Sequence, residues 1–214
     1  MQPEVIALGI DTSTPYCGLS IVSGKDILVE INEYIGKKHA ENLMLLTHKA
    51  LDLAKLKFTD LNAIGVGVGP GNFTGIRISV AAVRGLSLAL KIPAFGILRY
   101  EAFCLNQTTD TLCSINGPND QIYLVEYRKK KFGSCNLYKL NNLPKSNLGH
   151  IIGDQSDQIS EKLNATALKP IYLPATAIAQ IALEMPNHKS PPKPFYPNIK
   201  FDPVKRNFNT LPKS

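Results

Sequence analysis

Apolar residues recur along the first hundred positions in two rhythms, a strand rhythm that opens the chain and a helical one that follows. Val5 to Asp11 is a nearly unbroken apolar run that reads as a buried strand. Cys17 to Val22 and Ile27 to Tyr34 read as two more, joined by the turn-forming Ser23-Gly24-Lys25-Asp26, which predicts a hairpin fed by the first strand. From about Glu41 to Ala54 the spacing changes to three and four residues. Leu43, Leu46, Ala50 and Leu53 then share one helical face, widened by Met44, Leu45 and Leu51. Ala63 to Val68 returns as a short strand. A second helix is predicted from Thr74 to Leu90, with Ile76, Val80, Val83 and Leu86 on one stripe and Lys91-Ile92-Pro93 as its stop, and Ala94 to Ile97 follows as a strand.

Past Leu105 the pattern weakens. Asn106-Gln107-Thr108-Thr109-Asp110 reads as a connector, and strands are expected at about 111–115, 121–127 and 132–140, before a polar stretch from Asn141 to Asp157. Helical patterns recur near 156–163 and 175–185, the tail around Pro191-Pro192-Lys193-Pro194 is expected to be extended rather than packed, and the last ten residues to be disordered. This predicts an N-terminal lobe over 1–105 and a smaller C-terminal lobe over 106–214. The order strand, strand, strand, helix, strand, helix, strand is the core unit of the actin/Hsp70/sugar-kinase (ASKHA) superfamily, an α/β fold with a mixed sheet and flanking helices, here with its second lobe reduced.

Composition narrows the class. With 214 residues, 44% of them hydrophobic, the chain can bury a substantial core. No apolar run approaching a membrane span is expected, and Met1-Gln2-Pro3-Glu4 lacks the basic start of a secretory signal, which predicts a cytoplasmic protein without a membrane partner. Cys17, Cys104, Cys113 and Cys135 form no Cys-x-x-Cys and read as reduced core thiols. The net charge is +7, and its densest run, Arg128-Lys129-Lys130-Lys131, falls where a hairpin tip would hold it in water, serving solubility.

Candidate chemistry centres on Gly65 to Arg77, which packs five glycines and Pro70 between a strand and a helix. Bare backbone lets a partner come close to a helix N-terminus. Gly75-Ile76-Arg77 stands where a phosphate-gripping loop would carry Gly-Lys-Ser/Thr, so the Walker pattern is absent. Asp11-Thr12-Ser13-Thr14 after the first strand sits where nucleotide-binding members of the superfamily place an acid for Mg²⁺ and hydroxyls for phosphate, and equally where an ordinary turn satisfies its own backbone. No closing phosphate loop follows Leu105. His39, His48, His150 and His188 are not paired at helical spacing, so no metal site is expected, and there is no Gly-x-Ser-x-Gly elbow for a nucleophile.

Gly69-Pro70-Gly71-Asn72-Phe73-Thr74-Gly75-Ile76-Arg77-Ile78 closely resembles the signature of the TsaB (YeaZ) family, with Asn72 where Ser is usual. Ile6 to Thr14 is similar to that family's opening strand and Asp-Thr-Ser/Thr turn, and His39-Ala40-Glu41-Asn42-Leu43 resembles its His-Ser-Glu-x-Leu helix start. Tyr123 to Tyr127 resembles its Val-Tyr-x-x-x-Tyr strand, whereas the terminal Pro-x-Tyr-Leu-Arg has become Pro194-Phe195-Tyr196-Pro197-Asn198. The resemblance implies a non-catalytic subunit of the bacterial machinery that makes threonylcarbamoyladenosine in tRNA. The catalytic relative TsaD carries two metal-binding histidines with a Glu between them. Aligned from Pro93-Ala94, those places fall on Arg99 and Phe103, with Glu101 between, and neither a guanidinium nor a phenyl ring ligates metal.

The resemblance implies no catalytic residue, a TsaD-like catalytic partner, a TsaE-like ATPase, a homodimer in isolation and tRNA reached indirectly through the complex. No cofactor is expected on the chain alone, with ATP left to the assembled complex; Asp11, Thr12, Ser13, Gly69 and Gly71 become a vestigial phosphate loop. In the family the two long helices form the association surface. Here both carry apolar or small residues off their core stripes, so Leu45, Thr47, Gly75, Ser79 and Ala82 are the expected interface. A small-molecule kinase or ATPase using Asp11 and the glycine loop is the rival reading, and a tRNA-binding module acting through the basic hairpin is the third.

Overall fold

A computed structural model describes residues 5–185 and 190–197. His188 and the last ten residues lie outside that range. The chain divides into two units, the described residues of Met1–Leu105 with Pro170–Phe195, and those of Asn106–Lys169 with Tyr196–Ser214.

The first unit is built on a five-stranded sheet in the order β3-β2-β1-β4-β5. Strands β1 (Ile6–Asp11), β2 (Tyr16–Ser23) and β3 (Asp26–Tyr34) run antiparallel, and β4 (Ala63–Gly67) and β5 (Ala94–Ile97) continue parallel to β1. Alternation along each strand divides the core. Leu8, Ile10, Leu19, Ile64 and Val66 meet helices α1 (His39–Ala54) and α2 (Phe73–Leu90), whereas Ala7, Val22 and Ala63 meet α5 (Pro174–Glu184).

Helix α1 buries Leu43, Leu46, Thr47, Ala50 and Leu51. Leu53, expected on that stripe, is 61% exposed, because the buried face follows positions 43, 46, 47, 50 and 51 and leaves 53 on the other side. Helix α2 is long and apolar enough to cross a membrane by length and composition, contrary to expectation. Ile76, Val80 and Val83 bury against the sheet, and Arg77 and Arg84 stay exposed on the helix's other side.

Helix α5 corrects the domain boundary. Expected in the C-terminal lobe, it lies on the first sheet, over β1, β2 and β4. Gly9 and Gly65 are register neighbours there, and a Cβ added to them would stand 2.1 Å from the Ala175 carbonyl oxygen and 2.7 Å from that of Ile178. The bare patch admits the alanine-rich helix at backbone distance. The proline tail is also corrected: Pro192 is buried, and the Phe195 N–H donates to the Val68 carbonyl at 2.8 Å.

The second unit holds a sheet ordered β11-β10-β6-β7-β8, from β6 (Thr111–Asn116), β7 (Gln121–Arg128), β8 (Lys131–Phe132), β10 (His150–Gly153) and β11 (Thr166–Leu168); β9 (Asn136–Lys139) also pairs with β7. The single strand expected at 132–140 is two short ones, and β10 lies inside the stretch read as polar. Leu112, Ile122, Leu124 and Ile151 pack with Ile159 of α4 (Ser156–Leu163).

Candidate functional site

The sequence-predicted phosphate residues do come together. After β1, Asp11 Oδ1 accepts the Ser13 N–H at 3.0 Å, so the acid stabilises its own turn. The glycine loop closes directly on that turn: the Asn72 N–H donates to the Ser13 carbonyl at 2.7 Å, and a Cβ on Gly71 would lie 2.5 Å from the same oxygen. Asp11, Thr12 and Ser13 are all buried, as is Gly69, and Gly71 is half-buried.

Most donors a phosphate would use are already engaged, the buried Ser13 Oγ being left without a partner among the described residues. Asn72 caps α2, its Oδ1 accepting the N–H groups of Thr74 and Gly75 at 3.1 and 3.2 Å. The buried Thr12 hydroxyl lies 2.8 Å from both the Gly75 carbonyl oxygen and Ser79 Oγ and donates toward them as a three-centre bond. His39, at the start of α1, places Nε2 2.9 Å from the Thr14 carbonyl oxygen, tying α1 to the same turn. A phosphate at this helix N-terminus would have to displace the Asn72 side chain from the Thr74 and Gly75 N–H groups. The sequence hid this, because Asp, Thr and Gly suit a closed joint as well as an open cradle.

Three of the five interface residues are corrected. Thr47 is fully buried and donates to the Leu43 carbonyl at 2.7 Å. Gly75 faces inward, where a Cβ would stand 2.1 Å from the Thr12 carbonyl oxygen, and Ser79 is fully buried in its bond with Thr12. Their small size serves contact between the chain's own elements. Ala82 is half-buried against the first core. Leu45 stands in solvent at 67% exposure, and the outward faces of the two helices also carry Leu53 and, at 82%, Leu88. Phe73, 48% exposed, lies under the Arg77 guanidinium at 3.6 Å.

Residues Arg99 to Phe103 form a short helix, α3, that sequence reading missed because five residues give too little periodicity. Arg99 and Phe103 share its face, the guanidinium 5.1 Å from the ring, and both are buried. Glu101 Oε2 accepts the Leu98 N–H at 2.7 Å, capping the helix. Among the described residues no group of three or more His, Cys, Asp or Glu is placed to hold a metal ion. Burial pushes the Cys17 thiol up to about 12, with Asp11 and Glu33 adding repulsion, and burial alone raises Cys135 to about 12, so neither is an activated nucleophile.

This sheet, with paired helices on one face and a glycine loop after β4, is the lobe of an actin-like (ASKHA) protein. Residues 31–193 match the family model described as TsaD, tRNA N6-adenosine threonylcarbamoyltransferase. The chain belongs to that family, on its TsaB (YeaZ) branch. The tRNA threonylcarbamoyladenosine biosynthesis protein TsaB of Buchnera aphidicola subsp. Schizaphis graminum is 36% identical over 127 residues, covering 57% of this chain and 60% of that protein. The protein of the same name from Escherichia coli is 28% identical over 131 residues, 59% of this chain and 56% of that one. The match thus spans less than two thirds of the length of these relatives. A crystal structure of a Pseudomonas aeruginosa protein with similarity to peptidase YEAZ superposes with a TM-score of 0.70 at 21% identity, covering 90% of this chain and 99% of that one.

Proposed function

We propose that this chain is a non-catalytic, cytoplasmic partner in threonylcarbamoylation of the tRNA adenosine next to the anticodon, working with a TsaD-like enzyme that carries the chemistry. The observation that carries the reading is one contrast on the first unit. The joint where a kinase would hold phosphate is closed by the chain's own bonds among Thr12, Asn72 and Ser79, while Leu45, Leu53, Phe73 and Leu88 on α1 and α2 stand in solvent. Large exposed apolar residues on neighbouring helices are what a protein interface requires. The relatives' names support the pathway, and the match to the TsaD family model supports a TsaD-like partner. A TsaE-like ATPase joins the assembly, ATP belongs to that complex, and the same helical face serves a homodimer when the enzyme is absent.

The test is reconstitution. With a TsaD-like and a TsaE-like protein, ATP and unmodified tRNA, omission of this chain is expected to abolish threonylcarbamoyladenosine formation, and Leu45→Glu with Leu88→Glu to reduce it by weakening assembly. Full modification without the chain, or ATP turnover by the chain alone that Asp11→Asn removes, would overturn the reading in favour of a kinase.

A further inference from the structure

The turn between β7 and β8 is made by Lys129 and Lys130, both in the left-handed region with φ of 48° and 60°. A two-residue hairpin turn of this kind favours Asn and Gly, because a side chain with a Cβ crowds the backbone there. Two lysines at those positions are a steric liability, and the bond that Asp110 makes with the turn goes to the Lys129 backbone N–H and not to either ammonium group. Both are exposed, as is Lys131, and among the described residues none of the three ammonium groups has an ion-pair partner.

The acids nearby hold an arginine and a backbone N–H, and neither pairs with a lysine ammonium. Glu126 takes the Arg128 guanidinium at 2.8 Å, and Arg128 also donates to Asn147, while Asp110 Oδ1 accepts the backbone N–H of Lys129 at 2.8 Å. That last bond fixes the direction of the tip. Below it Tyr127 and Phe132 pair across the strands with ring centroids 4.8 Å apart, holding the hairpin closed. Both rings are half-buried, so the tip offers cations and no apolar wedge.

We infer that this hairpin tip is a phosphate-binding finger through which the chain contacts RNA directly. The choice of RNA rests on the proposed role in tRNA modification. A membrane surface shares the phosphate chemistry, but the tip has no exposed apolar side chain to insert. Lysines on a strained turn place several point charges on one projecting edge, which suits successive phosphates and carries no base specificity.

The decisive variant is Lys129→Asn with Lys130→Gly, which removes two charges and relieves the turn. Binding of the full chain to an unmodified tRNA transcript is measured between about 50 and 200 mM salt, beside thermal unfolding. The expected result is a higher Tm together with roughly tenfold weaker binding and a log–log salt slope shallower by about 1.4 to 1.8, the release expected for two phosphate contacts. Lys129→Arg with Lys130→Arg keeps the charge and is expected to keep the affinity. A wild-type chain that does not bind the transcript, an unchanged affinity and slope in the Asn-Gly variant, a lower Tm in that variant, or charge-dependent binding to phosphatidylglycerol vesicles in place of tRNA would each overturn the finger. None of these uses the partner enzyme. Failure here with modification intact would leave the proposed function standing, whereas modification that proceeds without this chain would overturn that function whatever the tRNA binding.

Discussion

Thr12 and Ser79 stand 67 residues apart in sequence and 2.8 Å apart in space, hydroxyl to hydroxyl, and both are fully buried. This pair locks α2 onto the turn after β1 and turns a would-be ligand loop into a joint. Ser79→Glu is therefore expected to unfold the protein rather than weaken its assemblies, since an unpaired buried charge costs about 3–5 kcal/mol. Leu45→Glu, on the outward face of α1, is expected to leave circular dichroism and Tm unchanged while shifting sedimentation toward monomer. A folded Ser79→Glu chain would place that helix face outside.

Asn72 does the work of the Ser usual in the family. Its Oδ1 holds two N–H groups of α2, so Asn72→Ala is expected to cost about 1 kcal/mol in urea unfolding. Asn72→Ser keeps a capping oxygen and is expected to lose only a few tenths of that.

Gly9→Ala adds one methyl, and in most strands that change is neutral or favourable. Here the Cβ would meet the Ala175 carbonyl oxygen at 2.1 Å, so α5 must lift from the sheet. A loss of about 3 kcal/mol is expected, seen as a Tm lower by roughly 6–12 °C.

Cys17 and Cys135 are both held at about 12 against an ordinary 9.0, chiefly by burial. The folded chain keeps these thiols protonated while the unfolded chain releases its protons near 9, so the unfolded state binds fewer protons above that point. Stability from these groups is complete below pH 9 and is lost progressively as pH rises toward 12. Urea midpoints at pH 8 and pH 10.5 check this, and Cys17→Ala is expected to flatten the decline.

Much of the first lobe was legible because its elements are governed by local rules. Alternation in Leu8, Ile10, Cys17, Leu19 and Ile21 and the spacing of Leu43, Leu46 and Ala50 fix strands and helices through burial of one face. Lys91-Ile92-Pro93 and Asn72 bound α2 by chemistry that acts within a few residues. The second lobe was less legible, since strands as short as β10 and β11 leave too few positions for a period to show.

What the amino-acid order settled by itself was the strands and long helices of the first hundred residues, roughly where they stop, and the family to which the glycine loop belongs. Which side of each element meets what was decided only by the tertiary structure. Gly75 and Ser79 look like open helix surface until Thr12 arrives from 63 and 67 residues away to fill it. Helix α5 looks like part of the second lobe until the bare Gly9 and Gly65 give it a seat on the first. In each case the deciding force is close packing between residues distant in sequence, and a small residue carries no local mark of whether the space it leaves is filled by solvent, by a partner or by its own chain.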